Sequence, residues 1–228
     1  MEAGELMSQQ IVAIDGPAGS GKSSVSKQLA RDFDFGYLDT GAAYRALAWL
    51  VLEGFDKAQL ETGDFETSFD YQVSTDPDNF WVKVGNQDVT EAIRSSEVSE
   101  AVSSVAQVSA VRSFMKRKTH EIAGSCTKPG IVIEGRDITT VVYPEAQSRI
   151  LLTASEAVRL ARRSKELSEV KNIHAQVTKR DASDSKVVNF TEAAPGVTLV
   201  DSTNLDFAQT VAVMADHVKT DLKAAQND

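Results

Sequence analysis

Gly16-Pro17-Ala18-Gly19-Ser20-Gly21-Lys22-Ser23 fits G-x-x-x-x-G-K-[ST] and stands between two unlike stretches of chain. Before it, Ile11-Val12-Ala13-Ile14 is an apolar, largely β-branched run of the kind a buried parallel strand requires. After it, Ser24-Val25-Ser26-Lys27-Gln28-Leu29-Ala30 has helical spacing, with Val25 and Leu29 on one face. Strand, glycine-rich turn and helix form the context in which this motif cradles phosphate. Glycines let the backbone wrap an oligophosphate with its N–H groups turned inward, and the helix N-terminus adds partial positive charge. The expected nucleotide-binding run is Gly16, Pro17, Ala18, Gly19, Ser20, Gly21, Lys22, Ser23 and Ser24. Lys22 should reach the β- and γ-phosphates of ATP, and the Ser23 hydroxyl should ligate Mg²⁺.

Outward from this point, strands alternate with helices. Phe35 to Thr40 reads as a short strand and Gly41 to Glu53 as a helix. Residues 54–67 read as acidic and irregular. Phe69, Tyr71 and Val73, then Phe80, Val82 and Val84, alternate with polar residues, which predicts a small antiparallel patch. Val89 to about Ala123 reads as mostly helical. Ile131 to Glu134, Arg149 to Thr153 and Val197 to Val200 are further strands. A charge-rich helical stretch from Ser155 to about Lys179 and a closing helix from Asp206 to Lys223 complete the pattern. The expected fold is α/β: a three-layer α/β/α P-loop architecture on a parallel sheet, with a small antiparallel insert at about 65–100 and a short helical lid at about 155–180. Residues 1–10 read as a flexible tail and 11–228 as one domain.

The balance of 24 basic against 33 acidic residues, net −9, gives no general support for nucleic-acid or anionic-membrane binding. The single cysteine, Cys126, allows neither an intrachain disulfide nor a CxxC metal site. No apolar run reaches membrane-spanning length and the first residues lack a signal-peptide core, so the cytoplasm is the expected compartment. His120, His174 and His217 are scattered without ligand spacing and read as surface residues, and Trp49 and Trp81 as packing residues.

A phosphate-binding loop alone does not separate kinases from GTPases or motor ATPases. There is no Asn-Lys-x-Asp element to read guanine and no Asp-x-x-Gly switch. The chain does carry arginines at strand ends and along the helical stretch: Arg45, Arg112, Arg136, Arg159, Arg162, Arg163 and Arg180. Transfer of a phosphoryl group between two anions needs positive charge spread over donor and acceptor, and guanidinium forks suit phosphate. Some of these arginines have a plain structural alternative, since Arg159, Arg162 and Arg163 fall at helical spacing behind Glu156. Glu134, at a strand end, reads as a carboxylate that holds a Mg²⁺ water or completes the strand end, and Asp15 as a residue that faces the same region or only fixes the P-loop backbone.

Several motifs, in order, resemble the bacterial cytidylate (CMP/dCMP) kinases. They are Ile14-Asp15-Gly16-Pro17, Leu38-Asp39-Thr40-Gly41-Ala42-Ala43-Tyr44-Arg45, Glu97-Val98 with Ser103 and Val111-Arg112, Gly135-Arg136-Asp137 with Thr140 to Pro144, Arg180 to Ser185, and Val200-Asp201-Ser202-Thr203. The resemblance runs from about Ile11 to Phe207. It implies ATP- and Mg²⁺-dependent phosphoryl transfer to CMP and dCMP by a monomer with no nucleic-acid or membrane partner. It assigns Thr40, Arg45 and Arg136 to the acceptor phosphate, Ser103, Arg112 and Asp184 to cytosine, and Asp137 to the sugar hydroxyls. Lys22 and Arg136, with Arg159, Arg163 and Arg180 from the lid, would surround the transferring group.

This sequence departs from the family pattern at three places. Thr139 stands where many members have glycine, Val187 where many have arginine (beside Lys186), and the lid from Lys165 to His174 is compact. Two other readings stay open on the residues: a related kinase with another acceptor such as UMP or shikimate, and a nucleotide-gated binding module.

Overall fold

The computed structural model describes residues 9–166 and 192–227, with backbone alone at Arg163, Lys165 and Glu166. In chain order the elements are β1 (Gln10–Asp15), α1 (Lys22–Asp32), β2 (Gly36–Asp39), α2 (Thr40–Leu52) and α3 (Ala58–Thr62). Then come β3 (Tyr71–Val73), β4 (Val82–Val84), β5 (Gln87–Asp88), α4 (Ser96–Ala106) and α5 (Ser109–Ser125). The last are β6 (Gly130–Gly135), β7 (Ser148–Thr153), α6 (Glu156–Glu166), β8 (Thr198–Asp201) and α7 (Phe207–Ala225).

Five strands form a parallel sheet in the order β2-β6-β1-β7-β8. The P-loop strand β1 is its centre, which is why Ile11 to Ile14 is apolar on both faces. Val12 and Ile14, with Val132, Ile150 and Leu152, pack beneath Val25 and Leu29 of α1 and Met214 and Val218 of α7. Ile11, Ala13, Ile131 and Ile133 fill the other face with Leu38, Ile138 and Tyr143. Burying each such aliphatic side chain contributes about 2 kcal/mol, and the alternation along the strands assigns one set to each layer. The three layers expected from the sequence are therefore present.

β3, β4 and β5 form a separate antiparallel sheet. Tyr71 and Val82 from it join Ala46 and Leu47 of α2, Val102 of α4 and Met115 of α5 in one apolar cluster. Helix starts follow capping chemistry: Asp39 accepts from Ala42 N, Ser95 from Val98 N, and Asp206 forms a capping box with Gln209.

The stretch from Val89 to about Ala123 is mostly helical, as expected, in two helices, α4 and α5, that meet at Gln107 and Val108. Two expectations are corrected. Residues 54–67 are not irregular: α3 and a 3₁₀ turn (Asp64–Thr67) form there because Leu60 and Phe65 are buried anchors that composition alone hides. His120 is not a plain surface residue; its ring lies 4.2 Å from that of Tyr143, and its Nε2 is 2.8 Å from Val142 O. Trp49 is buried, as its packing role requires. No helix among the described residues is long and apolar enough to cross a membrane.

Candidate active site

The sheet gathers three loops at its carboxyl edge: the P-loop after β1, the start of α2 after β2, and the turn Gly135-Arg136-Asp137 after β6. Gly21, in the left-handed region, begins α1 without a side-chain cap, so the first N–H groups of that helix face the loop. Gly19 has φ of +75°, and a Cβ there would meet Arg159 O at 2.5 Å, so α6 lies directly against the loop. Lys22, Ser23 and Ser24 then line a cavity of about 370 Å³.

Among the described residues, Lys22, Lys27, Arg45, Arg94 and Arg136 line this cavity, against Asp39 and Glu134. An acidic chain has thus concentrated cations at one place, as binding of oligophosphate demands. The strand register brings Glu134 beside Asp39. Burial, with the nearby Asp39 charge, pushes the Glu134 carboxyl up, while Lys22 and the hydroxyls of Ser23 and Tyr37 pull it back. Tyr37 Oη donates to Glu134 Oε1 at 2.6 Å. The other oxygen, Oε2, is buried without a hydrogen bond, 4.0 Å from Lys22 Nζ. Burial also acts on Asp39, but Arg45, Lys22 and Arg94 outweigh it and hold that carboxyl below its ordinary range. Arg45 Nη2 reaches Asp39 Oδ2 at 2.6 Å.

A second cavity, of about 320 Å³, opens on the other side of Thr40. It is lined by Thr40, Tyr44, Arg112, Asp137 and parts of α5. Arg112 Nη2 donates to Asp137 Oδ2 across it. Thr40 Oγ1 donates to Glu134 O at 2.8 Å, which pins the start of α2 to the end of β6. Gly135 is required beside this bond, because a Cβ there would meet Thr40 Oγ1 at 2.6 Å and Ile138 at 2.8 Å. Gly135→Ala is expected to lower stability by about 2 kcal/mol, read as a fall in the thermal midpoint; an unchanged midpoint would show that the two loops yield freely.

The sequence matches the cytidylate kinase family over residues 12–220. The chain belongs to the cytidylate kinase family. It is 39% identical over 219 residues to a cytidylate kinase of Cutibacterium acnes, covering 93% of this chain and 97% of the relative. It is 42% identical over 210 residues to one from Streptomyces griseus, covering 90% of each. A third, from Mycolicibacterium paratuberculosis, is 40% identical over 94% of this chain and 97% of its own length.

Most residues that the cytidylate kinase pattern singles out converge on the two cavities. Lys22, Ser23, Ser24, Arg45 and Arg136 line the first; Thr40, Arg112 and Asp137 line the second. Arg136 Nη1 donates to Gly16 O at 2.9 Å and Arg159 Nη1 to Ala18 O at 2.9 Å, so both guanidinium groups touch the P-loop backbone. Ser103 lines neither cavity; Ser99, one turn earlier on α4, lines the first. The Arg163 side chain, Arg180, Asp184 and the lid beyond Glu166 lie outside the described residues.

Asp15 does not hold the P-loop; it accepts from Ile138 N, Thr139 N and Thr139 Oγ1 instead, because its side chain points to the neighbouring strand's turn. Sequence reasoning also missed Lys27, Arg94, Tyr37 and Phe80 on the first cavity's wall. Lys27 Nζ lies 4.8 Å from the Phe80 ring centre, and Arg94 is 5.8 Å from it. Lys27 was findable, four residues after Ser23 on the same helix face. Arg162 is an anchor. Its guanidinium donates to Ser20 O at 3.0 Å, to Ser202 Oγ and O at 2.9 and 3.0 Å, and to Leu205 O at 3.3 Å.

Proposed function

We propose that this protein transfers the terminal phosphoryl group of ATP to the phosphate of CMP or dCMP, giving ADP and the diphosphate. The observation that carries this reading is the adjacency of the two cavities. A cation-rich phosphate cavity on the P-loop meets, at Thr40 and Gly135 to Asp137, a second cavity with a carboxylate and a guanidinium facing each other. Cytosine presents an amino donor beside ring and carbonyl acceptors, so a guanidinium and a carboxylate suit its edge and its sugar. Arg112 would read the base and Asp137 the sugar hydroxyls. Asp184 keeps the base-reading role that the family pattern gives it; Ser103, which lines neither cavity, has that role on the family pattern alone.

In this mechanism, backbone N–H groups of the loop from Ala18 to Ser24 and the Lys22 ammonium hold the ATP phosphates. Arg45 and Arg136 draw the acceptor phosphate toward them, Arg45 by exchanging its Asp39 partner for the phosphate. The acceptor oxygen then attacks in line, and no protein nucleophile is needed: positioning and charge neutralisation supply the rate. Hard oxygen donors suit Mg²⁺, and the Ser23 hydroxyl and Glu134 Oε2, which accepts no hydrogen bond, fit it. When bound, the ion neutralises charge on the β- and γ-phosphates. Arg159, Arg163 and Arg180 would close over the transferring group from the lid at about 155–180, excluding water. The antiparallel sheet would serve as the acceptor-side insert. Action as a monomer is proposed on the resemblance alone.

The test is ADP release from ATP and Mg²⁺ with CMP, dCMP, UMP, AMP and GMP offered separately. Release with CMP and dCMP is expected. Equal rates with UMP would discard cytosine reading, and no release with any acceptor would sink the proposal. Arg112→Ala is expected to raise the KM for CMP by about ten- to a hundredfold while leaving that for ATP unchanged, since a bond between charged groups is lost on the acceptor side only.

A further inference from the structure

The turn that carries Arg136 and Asp137 is fastened to the end of β1 at two consecutive residues. The Asp15 carboxylate, 2% exposed, accepts from Ile138 N at 2.9 Å, from Thr139 N at 2.8 Å and from Thr139 Oγ1 at 2.7 Å. Arg136 Nη1 reaches the carbonyl of the next residue, Gly16. Asp137 lies between these fastenings, with its carboxylate on Arg112 in the second cavity. On the far side, Arg149 Nη1 donates to Thr139 O at 3.4 Å. Residue 139 is therefore held by its N–H, its hydroxyl and its carbonyl.

Among the described non-glycine residues only Asp34 has a positive φ, so a β-branched side chain at 139 costs no left-handed strain. Its hydroxyl adds a charge-assisted bond to Asp15 that glycine could not make. Ile138 N bonds to Oδ1, whereas both Thr139 groups bond to Oδ2. Without the hydroxyl, Oδ2 keeps one N–H in a site that water does not reach, and the carboxylate loses one of the restraints on its rotation.

We propose that Thr139 is a positioning residue of the acceptor site: its hydroxyl, through Asp15, fixes the Ile138–Thr139 backbone and hence the direction in which Asp137 faces Arg112 and the acceptor nucleoside. This rests on the second cavity being the CMP site. A displacement at 138–139 passes most directly to Asp137, the adjacent residue, whereas the helix-start N–H groups of the P-loop lie on a different loop, after β1. The hydroxyl thus acts on the acceptor side and not on the donor side.

The experiment compares wild type with Thr139→Val, which keeps the shape and loses the hydroxyl, and Thr139→Ser, which keeps the hydroxyl. CMP and ATP dissociation constants are measured separately by calorimetry, alongside KM, kcat and thermal midpoints. Thr139→Val is expected to weaken CMP binding by about tenfold and to leave ATP binding within about twofold. Thr139→Ser is expected to stay near wild type for both nucleotides. A folded Thr139→Val with unchanged CMP affinity overturns the proposal. Equal losses of CMP and ATP affinity, or a Thr139→Ser as impaired as the valine variant, also overturn it. If Thr139→Val does not fold, Thr139→Gly takes its place with the same expected split. Wild type that takes up no CMP refutes the acceptor-site reading itself, and the clamp with it.

Discussion

Lys22→Ala is expected to lower kcat by about a thousandfold or more. Lys22 opens α1 and its side chain, 17% exposed, faces the cation-rich cavity. Among the described residues of the cavity wall, the nearest cations are already engaged. Arg136 is engaged with Gly16 O, and Lys27 sits over the rings of Phe80 and Tyr37. The loss extends to Glu134. Lys22 is the cation that offsets the burial of that carboxylate, so without it the Glu134 carboxyl rises further and is less able to serve as a hard oxygen ligand at neutral pH. Single-turnover rates at saturating ATP separate this effect from weaker binding. A variant turning over at the wild-type rate would remove the P-loop lysine from the mechanism.

Arg45→Ala is expected to damage stability and activity together. Asp39 lies between α2 and β6, and its counter-ion is Arg45. Removing the guanidinium leaves a buried carboxylate, with a cost of about 3 kcal/mol. The pH dependence carries a sign that distinguishes this cause. In the wild type the Asp39 carboxyl is depressed, so its contribution is fully present above the ordinary carboxylate value and is lost as pH falls through the depressed one. Without Arg45 only Lys22 and Arg94 oppose burial, so the depression shrinks and less of the stabilising contribution of the charged form remains. Urea titrations from pH 4 to 8 should therefore show a stability difference from wild type that widens toward neutral pH. A pH-independent difference would mean lost packing, not an orphaned charge. Asp39→Asn on the Arg45→Ala background should recover part of the stability and none of the CMP turnover.

The P-loop and the parallel sheet were legible because their information is local. A strand, a glycine turn and a helix announce themselves within twenty consecutive residues, about one βα unit. The same holds for the run from Leu38 to Arg45, where cap, helix start and arginine follow in order. What escaped is non-local. Asp15 reaches a turn that is adjacent only because β1 and β6 pair in a given register. Phe80 and Arg94 arrive at the cavity from the antiparallel insert and the turn before α4, whose packing on α2 no spacing rule encodes. Arg162 looked like its neighbours Arg159 and Arg163 in a basic helix, and only the fold shows that its bonds go to the P-loop and to the turn after β8.

The order of strands has a consequence for how the chain is made. The central strand is synthesised first, yet Gln10 pairs with Gly130 and Val12 with Ser148. Until both partners have left the ribosome, this largely apolar strand has two bare edges, the condition under which nascent chains stick to one another. The nucleotide loop follows the same timetable, since Arg162 and Ser202 brace it from still later in the chain. ATP therefore cannot act as an early scaffold for the growing polypeptide. Its stabilising help comes only when nearly every element is already in place, and protection before then must come from chaperones or from speed.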